Sequence, residues 1–233
     1  MAAGRLIFLA AVEREIAGLV RGWQRVSAER GVACWVSEDA VVACGGMGAG
    51  RAALAVAEAL RQGPARRLIS VGWAGACRAG MRAGEIVEAD VVIDARTGER
   101  FFPDMRREYG LRGAVVTVAR PAGRQEKVRL AASYNAAAVE MEAAAVARAA
   151  RARELPFGAI KAISDDVEFE MPDVGAFVDE EGRVREAAFG LHVALRPRLW
   201  RPVMEMARGS RLAAERLWAA MSACMDEERN GGA

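Results

Sequence analysis

The sequence contains few of the residues that bind transition metals. It has one histidine, His192, and its four cysteines show no CxxC or other metal-binding spacing: Cys34, Cys44, Cys77 and Cys224. Zinc sites usually take four such ligands from closely spaced pairs. No serine or cysteine motif accompanies His192 in a nucleophilic triad. The composition therefore predicts no metal site, and the cysteines are expected to be buried thiols in a reducing compartment.

Long hydrophobic runs and a charge excess are also missing. The apolar stretch near the start is too short for a membrane span or a signal-peptide core, and Glu13 and Glu15 interrupt it. The net charge is +2 and the arginine clusters are scattered, which gives little support for nucleic-acid binding. With 53% apolar and 27% charged residues, the chain is predicted to form a single soluble domain over residues 1–233, expected in the cytoplasm.

Patterns typical of strands and helices alternate along the chain. Short apolar runs predict strands at 6–10, 31–36, 40–44, 67–76, 84–93, 114–119 and 157–163. Apolar periodicity and composition predict helices at 12–23, 52–61 and 139–154, and a C-terminal covering helix at about 200–225. Residues 94–112 are predicted as a loop, 179–182 as a turn and the last four residues as a disordered tail. This order predicts one large α/β domain.

The segment 138–166 carries acidic residues on two predicted elements. Glu140 and Glu142 stand at the start of the helix, and Ser164 and Asp165 follow the strand. Because open α/β sheets bind ligands at the carboxyl ends of their strands, both sets of carboxylates are expected to face one crevice, which suits acid-assisted bond cleavage. The structural alternative is that the glutamates complement a helix dipole and that Ser-Asp caps a turn.

Two glycine-containing turns are candidate ligand loops. Gly48 lies in the loop 45–50 between a strand and a helix, where unpaired N–H groups face an anion or a hydroxyl, and Arg51 follows it. The loop lacks the lysine of a Walker motif, and the acidic partner of a dinucleotide fold is not evident. Gly72 and Trp73 lie near the end of another strand, where small residues let a substrate approach. The alternatives are a turn needed for packing and an indole buried in the core.

The sequence VEMEAAAVARAA followed by KAISD resembles the signature of the purine nucleoside phosphorylase/nucleosidase superfamily, which includes methylthioadenosine/S-adenosylhomocysteine nucleosidases, futalosine hydrolases and hopanoid-associated phosphorylases. LIFLAAVEREIAGL, CGGMGAGRAALA, LISVGWAGAC and AGEIVEADVVID occur in the family's order. The resemblance implies a three-layer α/β/α fold with a central mixed, largely parallel twisted sheet. It also implies cleavage of the N-glycosidic bond of a purine, adenosine-type nucleoside without a cofactor, in a homo-oligomer for which we favour a dimer.

The same resemblance implies roles for individual residues. Asp165 would protonate the departing base, kept protonated by burial and by the neighbouring Asp166. Glu142 would bind the ribose hydroxyls and Met141 would pack against the sugar. The glutamate that activates water is Glu15 or Glu13, and both remain open. The remaining expected substrate-binding residues are Ser164, Gly48, Gly72, Trp73 and Arg51.

Two departures from the family bear on the reaction. Where hexameric phosphorylases carry a phosphate-binding arginine and a serine three residues on, this chain has Ser70 and Trp73. Loss of the guanidinium removes a bidentate contact to phosphate, so water is favoured as the nucleophile. The alternative is phosphorolysis of the hopanoid-associated type, with inorganic phosphate as co-substrate and compensation by Arg14, Arg51 or Arg78.

The second departure concerns recognition of the base. Methylthioadenosine nucleosidases usually stack an aromatic ring on adenine in the segment that corresponds to Arg120–Gly123, and this chain has no aromatic residue there. Trp73 could supply a stacking face instead. The same departures motivate a third hypothesis, a non-catalytic protein that binds nucleosides.

Overall fold

The computed structural model describes residues 4–26, 29–105, 109–170 and 192–230, and the single residues 177, 185 and 188. The strands are β1 Arg5–Ala10, β2 Gln24–Val26, β3 Ala33–Val36, β4 Ala40–Cys44, β5 Ala65–Ala76, β6 Ile86–Asp94, β7 Arg100–Phe101, β8 Leu111–Thr117, β9 Ala136–Glu140 and β10 Phe157–Asp165. The helices are α1 Ala49–Leu60, α2 Arg124–Tyr134, α3 Ala143–Arg151 and α4 Trp200–Asn230. The turn predicted at 179–182 and the last three residues of the tail lie outside the described residues.

The strands form one sheet in the order β10-β6-β8-β9-β5-β1-β4-β3-β2. Strand β10 pairs with β5 as well as with β6, so β5, β9, β8, β6 and β10 close into a ring, and the remaining strands extend from β5. Of the ten strand pairings within the described chain, five are parallel and five antiparallel. The predicted α/β fold with a mixed sheet is confirmed.

Alternate residues of β1 point to two different cores. Ile7 and Leu9 belong to a hydrophobic cluster that includes buried alanines of α1 and α3. Leu6 and Phe8 belong to a second cluster, which includes Leu217 of α4 on the opposite face. Because side chains along a strand alternate between faces, one short apolar run supplies both cores. The helices therefore cover both faces of β1. Within the described chain, none of the helices combines the length and apolar character that crossing a bilayer requires.

The segment between β1 and β2 does not form the predicted helix. Only Glu13–Glu15 make a short 3-10 turn. Ile16 and Val20 are buried, so their spacing of four residues does mark core positions. The chain turns past Gly18, where an added Cβ would lie 2.2 Å from the Trp218 ring. Tight packing against α4 therefore takes the place of helix formation.

The helix predicted from Val139 begins only at Ala143. Val139 and Glu140 belong to β9, which pairs with β5 and β8. Local composition favours a helix, but strand pairing in a fully buried position overrides that preference. The predicted loop 94–112 likewise contains β7 and the start of β8.

Candidate active site

The elements that carry the predicted carboxylates meet at the end of β5. Gly75 of β5 is the register partner of Val139 in β9 and of Asp165 in β10. Glu15 contacts the same strand two residues earlier, at the backbone N–H of Trp73. Two residues of a strand span about 7 Å. Three segments that are distant in sequence thus come together over a short length of β5.

Glu15 is buried and held by three backbone N–H groups. Its Oε2 accepts from Ala11 at 2.9 Å and from Val12 at 3.0 Å, and its Oε1 accepts from Trp73 at 2.8 Å. Burial raises the pKa of Glu15, against the lowering effect of these hydrogen bonds and of Lys161. A fixed carboxylate with raised proton affinity is suited to accept a proton.

Glu13 lies away from this contact. Its side chain is 54% exposed and pairs with Arg25 at 3.0 Å. Of the two glutamates left open by the sequence, only Glu15 points towards β5, because the 3-10 turn directs the two side chains in different directions. The placement does not support Glu13 as the residue that activates water.

Gly72 makes room for Glu15. Its φ of +133° lies in a region that L-residues rarely adopt, and an added Cβ would lie 2.7 Å from Glu15 Oε1. This glycine was predicted to let a substrate approach. The structure shows that it lets the glutamate approach.

Glu142 links β9 to the glycine loop. Its Oε1 accepts from the Gly48 N–H at 2.7 Å and its Oε2 from the Met141 N–H at 3.3 Å. The pKa of Glu142 is raised to about 8, first by burial and then by the negative charge of Glu140; Lys161 opposes the shift. Gly48 and Met141 therefore contact Glu142 through their backbone.

Glu140 and Lys161 form a buried ion pair beneath Glu142. Their side chains are at most 1% exposed and the charged atoms are 2.9 Å apart. Glu140 also accepts the backbone N–H groups of Glu142 and Ala143, which caps α3. Lys161 also donates to Ser70 Oγ at 2.9 Å. Glu140 therefore orients Glu142, and its own oxygens are occupied by protein donors.

Asp165 does not have the carboxylate neighbour that was expected. The Asp166 side chain is exposed, whereas the Asp165 carboxylate is 4% exposed and its Oδ2 accepts a hydrogen bond from Lys127. Ser164 Oγ donates to the other oxygen, Oδ1, at 2.5 Å. Among the described residues, the charged side chain in contact with the Asp165 carboxylate is therefore the Lys127 ammonium and not the expected Asp166 carboxylate.

Trp73 and Arg51 lie beside the cluster. Trp73 packs against the α4-side core, and its Nε1 is buried without a hydrogen-bond partner among the described residues. Arg51 donates to the carbonyls of Gly45 and Gly31. Its guanidinium therefore holds the glycine loop.

Two clefts lie near these residues. Asp165 and Ser164 line a cleft of about 480 Å³ together with Arg82, Arg208 and Met204. A larger cleft of about 890 Å³ lies along 118–129, and its lining does not include Glu15, Glu142 or Asp165. In the part of the chain that the structure describes, no three His, Cys, Asp or Glu side chains are arranged to hold a metal ion.

Sequence reasoning missed Lys127 and did not give Lys161 a role. The chain has 33 Lys and Arg residues, and only these two are lysines. Both are 1% exposed and both contact a site carboxylate. Because the basic residues of the surface are arginines, the scarcity of lysine was a signal that could have drawn attention to both positions.

The sequence and fold together define a class of protein. A family model described as the phosphorylase superfamily matches residues 6–112 and 111–195. The chain belongs to this superfamily, as its motifs predicted.

Solved structures of nucleosidases share the fold. Futalosine hydrolase of Helicobacter pylori is 14% identical with a TM-score of 0.72, covering 97% of this chain and 98% of its own. The 5'-methylthioadenosine/S-adenosylhomocysteine nucleosidase of Neisseria meningitidis is 20% identical with a TM-score of 0.71, covering 96% and 99%. Arabidopsis thaliana 5'-methylthioadenosine nucleosidase is 16% identical with a TM-score of 0.73, covering 97% and 96%. No match to the chain was found among curated proteins.

Proposed function

We propose that this protein hydrolyses the N-glycosidic bond of a purine, adenosine-type nucleoside. The observation that carries the proposal is the convergence of Glu15, Glu142 and Asp165 at the end of β5. Each carboxylate is oriented by protein donors and still has acceptor positions open. The relatives named as nucleosidases, which have the same fold, support the same reaction class.

Glu15 is the proposed base. An ionised carboxylate offers about four acceptor positions, and backbone N–H groups occupy three of those on Glu15. The remaining position would bind the attacking water and take its proton. Burial, which raises the pKa of Glu15, strengthens this tendency.

Glu142 is the proposed sugar-binding residue. Two backbone N–H groups leave about two of its acceptor positions open. Ribose hydroxyls would donate to these positions and favour the ionised form. As the bond to the base breaks, the sugar acquires positive charge, and a fixed carboxylate stabilises that charge more than it stabilises the neutral substrate.

Asp165 is the proposed proton donor. A purine leaves poorly as an anion, so a proton must reach a ring nitrogen as the bond breaks. Asp165 lines the cleft of about 480 Å³, and Ser164 and Lys127 fix its orientation. Free oxygen lone pairs on the side away from these donors would face the base.

Electrostatics favours water over phosphate as the nucleophile. Glu15, Glu140 and Glu142 lie near a single ammonium, that of Lys161, which also donates to Ser70. The ionised carboxylates repel a phosphate dianion, and a protonated Glu142, whose pKa is raised to about 8, offers it no positive charge. Two of the arginines considered as substitutes are engaged with backbone carbonyls, Arg51 and Arg78, and the third, Arg14, is exposed.

The assembly is a further part of the proposal. We expect a cytoplasmic homo-oligomer, preferably a dimer, without a cofactor. Trp200 and Met204 of α4 are 52% and 55% exposed, and such side chains are common in dimer contacts.

The test is a panel of nucleosides incubated with purified protein. Adenosine, 5'-methylthioadenosine, S-adenosylhomocysteine, inosine and futalosine are each assayed with and without phosphate, and the products are separated by chromatography. The proposal predicts phosphate-independent release of the base together with a free sugar. Phosphate-dependent release with ribose 1-phosphate would indicate phosphorolysis. Saturable binding in calorimetry without release would indicate a non-catalytic nucleoside-binding protein.

A further inference from the structure

Lys127 is a buried cation that orients Asp165 in the proposed mechanism, but its proton has no role there yet. It lies in α2 and reaches β10, where its Nζ donates to Asp165 Oδ2 and, at 2.6 Å, to the Asp166 carbonyl oxygen. The side chain is 1% exposed. A buried ammonium loses its hydration, so such a residue is rarely retained without a specific partner.

The fold leaves just enough space for this contact. An added Cβ at Gly75 would lie 2.9 Å from Lys127 Cε and 3.0 Å from Asp165 Oδ2. The nearby Cys77 thiol has a pKa raised to about 12 by burial, with Lys127 opposing the shift, so it is neutral near pH 7. Asp165 is therefore the anion that contacts the Lys127 ammonium within the described chain.

The identity of this residue carries the argument. Arginine provides 31 of the 33 basic side chains, the other two being Lys127 and Lys161. A guanidinium would form a stronger bidentate ion pair with a carboxylate, but it does not release its proton in proteins. An ammonium can. A lysine is the appropriate choice where the charged partner must also give up a proton.

We propose that Lys127 is the positioning residue of Asp165 and supplies the proton that Asp165 passes to the departing base. This inference rests on the proposed function. The proposed role of Asp165 requires a proton, and the group in contact with its carboxylate is an ammonium that carries one. The Lys127 ammonium holds this proton before the reaction, and the Asp165 carboxylate transfers it to the base.

The transfers balance over one turnover. The N-glycosidic electron pair goes to the base nitrogen, which takes a proton from Asp165, and Asp165 takes one from Lys127 Nζ. The water oxygen bonds to the sugar carbon, and the water proton goes to Glu15. After the products leave, Glu15 releases its proton to solvent and the neutral Lys127 amine takes one up. One water is consumed and no charge remains.

Two substitutions separate the proton supply from a structural ion pair. Lys127→Met removes both the charge and the proton, and Lys127→Arg keeps the charge without a transferable proton. Both are expected to lower kcat by about 100- to 10,000-fold, with KM changed by less than about threefold because ground-state contacts to the substrate remain. Arg148→Met is the control. It removes ion pairs to Asp94 at 2.8 Å and to Glu99 at 2.6 Å that lie outside the proposed machinery, and turnover should be unchanged.

A double-mutant cycle tests whether Lys127 acts through Asp165. The Lys127→Met/Asp165→Asn double variant should be no slower than Asp165→Asn alone, because both changes interrupt one proton path. Removing both charges also leaves no unpaired buried ion, so this variant should fold if Lys127→Met does not. Because the chain has two lysines, ¹⁵N-lysine labelling gives two side-chain signals, and Asp165→Asn should shift the Lys127 signal alone.

Each outcome is decisive. Turnover of Lys127→Met within about tenfold of wild type, or recovery in Lys127→Arg, would overturn the proton supply. The claim that Lys127 acts through Asp165 would be overturned if the losses of kcat of the two single variants multiplied in the double variant. It would also be overturned if Asp165→Asn left the ¹⁵N signal of the Lys127 side chain unchanged. Wild-type protein is assayed first, because failure to release any base contradicts the proposed function itself. A loss measured against active wild type concerns Lys127 alone.

Discussion

Asp165 and Asp166 are neighbours in sequence that differ in environment, and this difference makes a direct comparison possible. Asp165 is 6% exposed and held by two side chains, whereas Asp166 is exposed. We predict that Asp165→Asn lowers kcat by about 100- to 10,000-fold with an unchanged fold, and that Asp166→Asn lowers it by less than about threefold. Steady-state kinetics and circular dichroism on both variants check this. Equal effects would contradict the assignment.

Gly72 gives a second prediction at the residue scale. A methyl group in Gly72→Ala would meet Glu15 Oε1 and would also strain a backbone with φ of +133°. Displacing a positioned base should lower kcat by about 100-fold or more. Gly80→Ala is the control, since Gly80 has a φ of +87° and nothing within 4 Å of the added Cβ. It should lose stability through strain and keep its activity. A similar loss of activity in both variants would contradict a specific role for Gly72.

Local sequence patterns predict some of the single residues of the site, whereas others depend on packing between segments that are distant in sequence. Glu142 and Asp165 were predicted because they stand at the start of a predicted helix and at the end of a predicted strand, within one segment whose motifs resemble those of a known family. The contact of Lys127 with Asp165 joins residues 38 positions apart and depends on how α2 packs against the sheet, which no local pattern reveals. The choice between Glu13 and Glu15 required the direction of a single 3-10 turn. No pattern in the sequence indicates that direction.

At the scale of elements, α4 supports two parts of the site. Trp218 Nε1 donates to the Glu15 carbonyl oxygen at 2.8 Å. Nine residues before Trp218 in the same helix, an added Cβ at Gly209 would lie 2.1 Å from the Ser164 carbonyl oxygen. Since Ser164 orients Asp165, one helix contacts the supports of both the proposed base and the proposed acid.

This close contact predicts the effect of Gly209→Ala. The methyl group would collide with backbone and push α4 away from β10, so we expect a loss of about 1 to 3 kcal/mol in the free energy of unfolding. Gly50→Ala is the stability control, because Gly50 lies in α1 with nothing within 4 Å of an added Cβ. Alanine there should stabilise by about 0.5 to 1 kcal/mol. Urea unfolding measures both, and a stabilised Gly209→Ala would contradict the packing described.

Predictions for elements succeeded where burial and local preference agree. Residues 40–44 and 157–163 were predicted as strands, and they form β4 and most of β10. The start of the helix predicted from Val139 is the informative failure, because the composition there favours a helix while the position of Val139 and Glu140 between β5 and β8 requires a strand. Tertiary pairing decides such a segment.

At the scale of the whole molecule, the buried carboxylates link stability to pH. Burial and the negative charge of Glu140 raise the pKa of Glu142 to about 8, so the folded state binds this proton more tightly than the unfolded chain. The resulting stability is fully present below about pH 4.5 and is lost as the pH rises through about 8. Acidification within this range should therefore stabilise the protein through Glu142.

Glu142→Gln should remove this dependence. Between about pH 5 and about pH 8, the free energy of unfolding of the wild type should fall relative to that of the variant by on the order of 2 kcal/mol. A change of one pKa unit corresponds to about 1.4 kcal/mol, and the partial exposure of Glu142 weakens the effect. Urea unfolding across this range measures the difference. Glu13→Gln, at an exposed ion pair, is the control and should run parallel to the wild type. If the free energy of unfolding of Glu142→Gln followed the same pH dependence as that of the wild type, the raised pKa of Glu142 would be contradicted.

The central claim is that water attacks the sugar carbon of a bound purine nucleoside. The most direct measurement runs the reaction in H₂¹⁸O with excess inorganic phosphate, using the nucleoside cleaved fastest, and weighs the rapidly quenched products by mass spectrometry. We predict a free sugar that carries one ¹⁸O atom for each base released. Unlabelled ribose 1-phosphate, or no cleavage of any nucleoside, would contradict the claim.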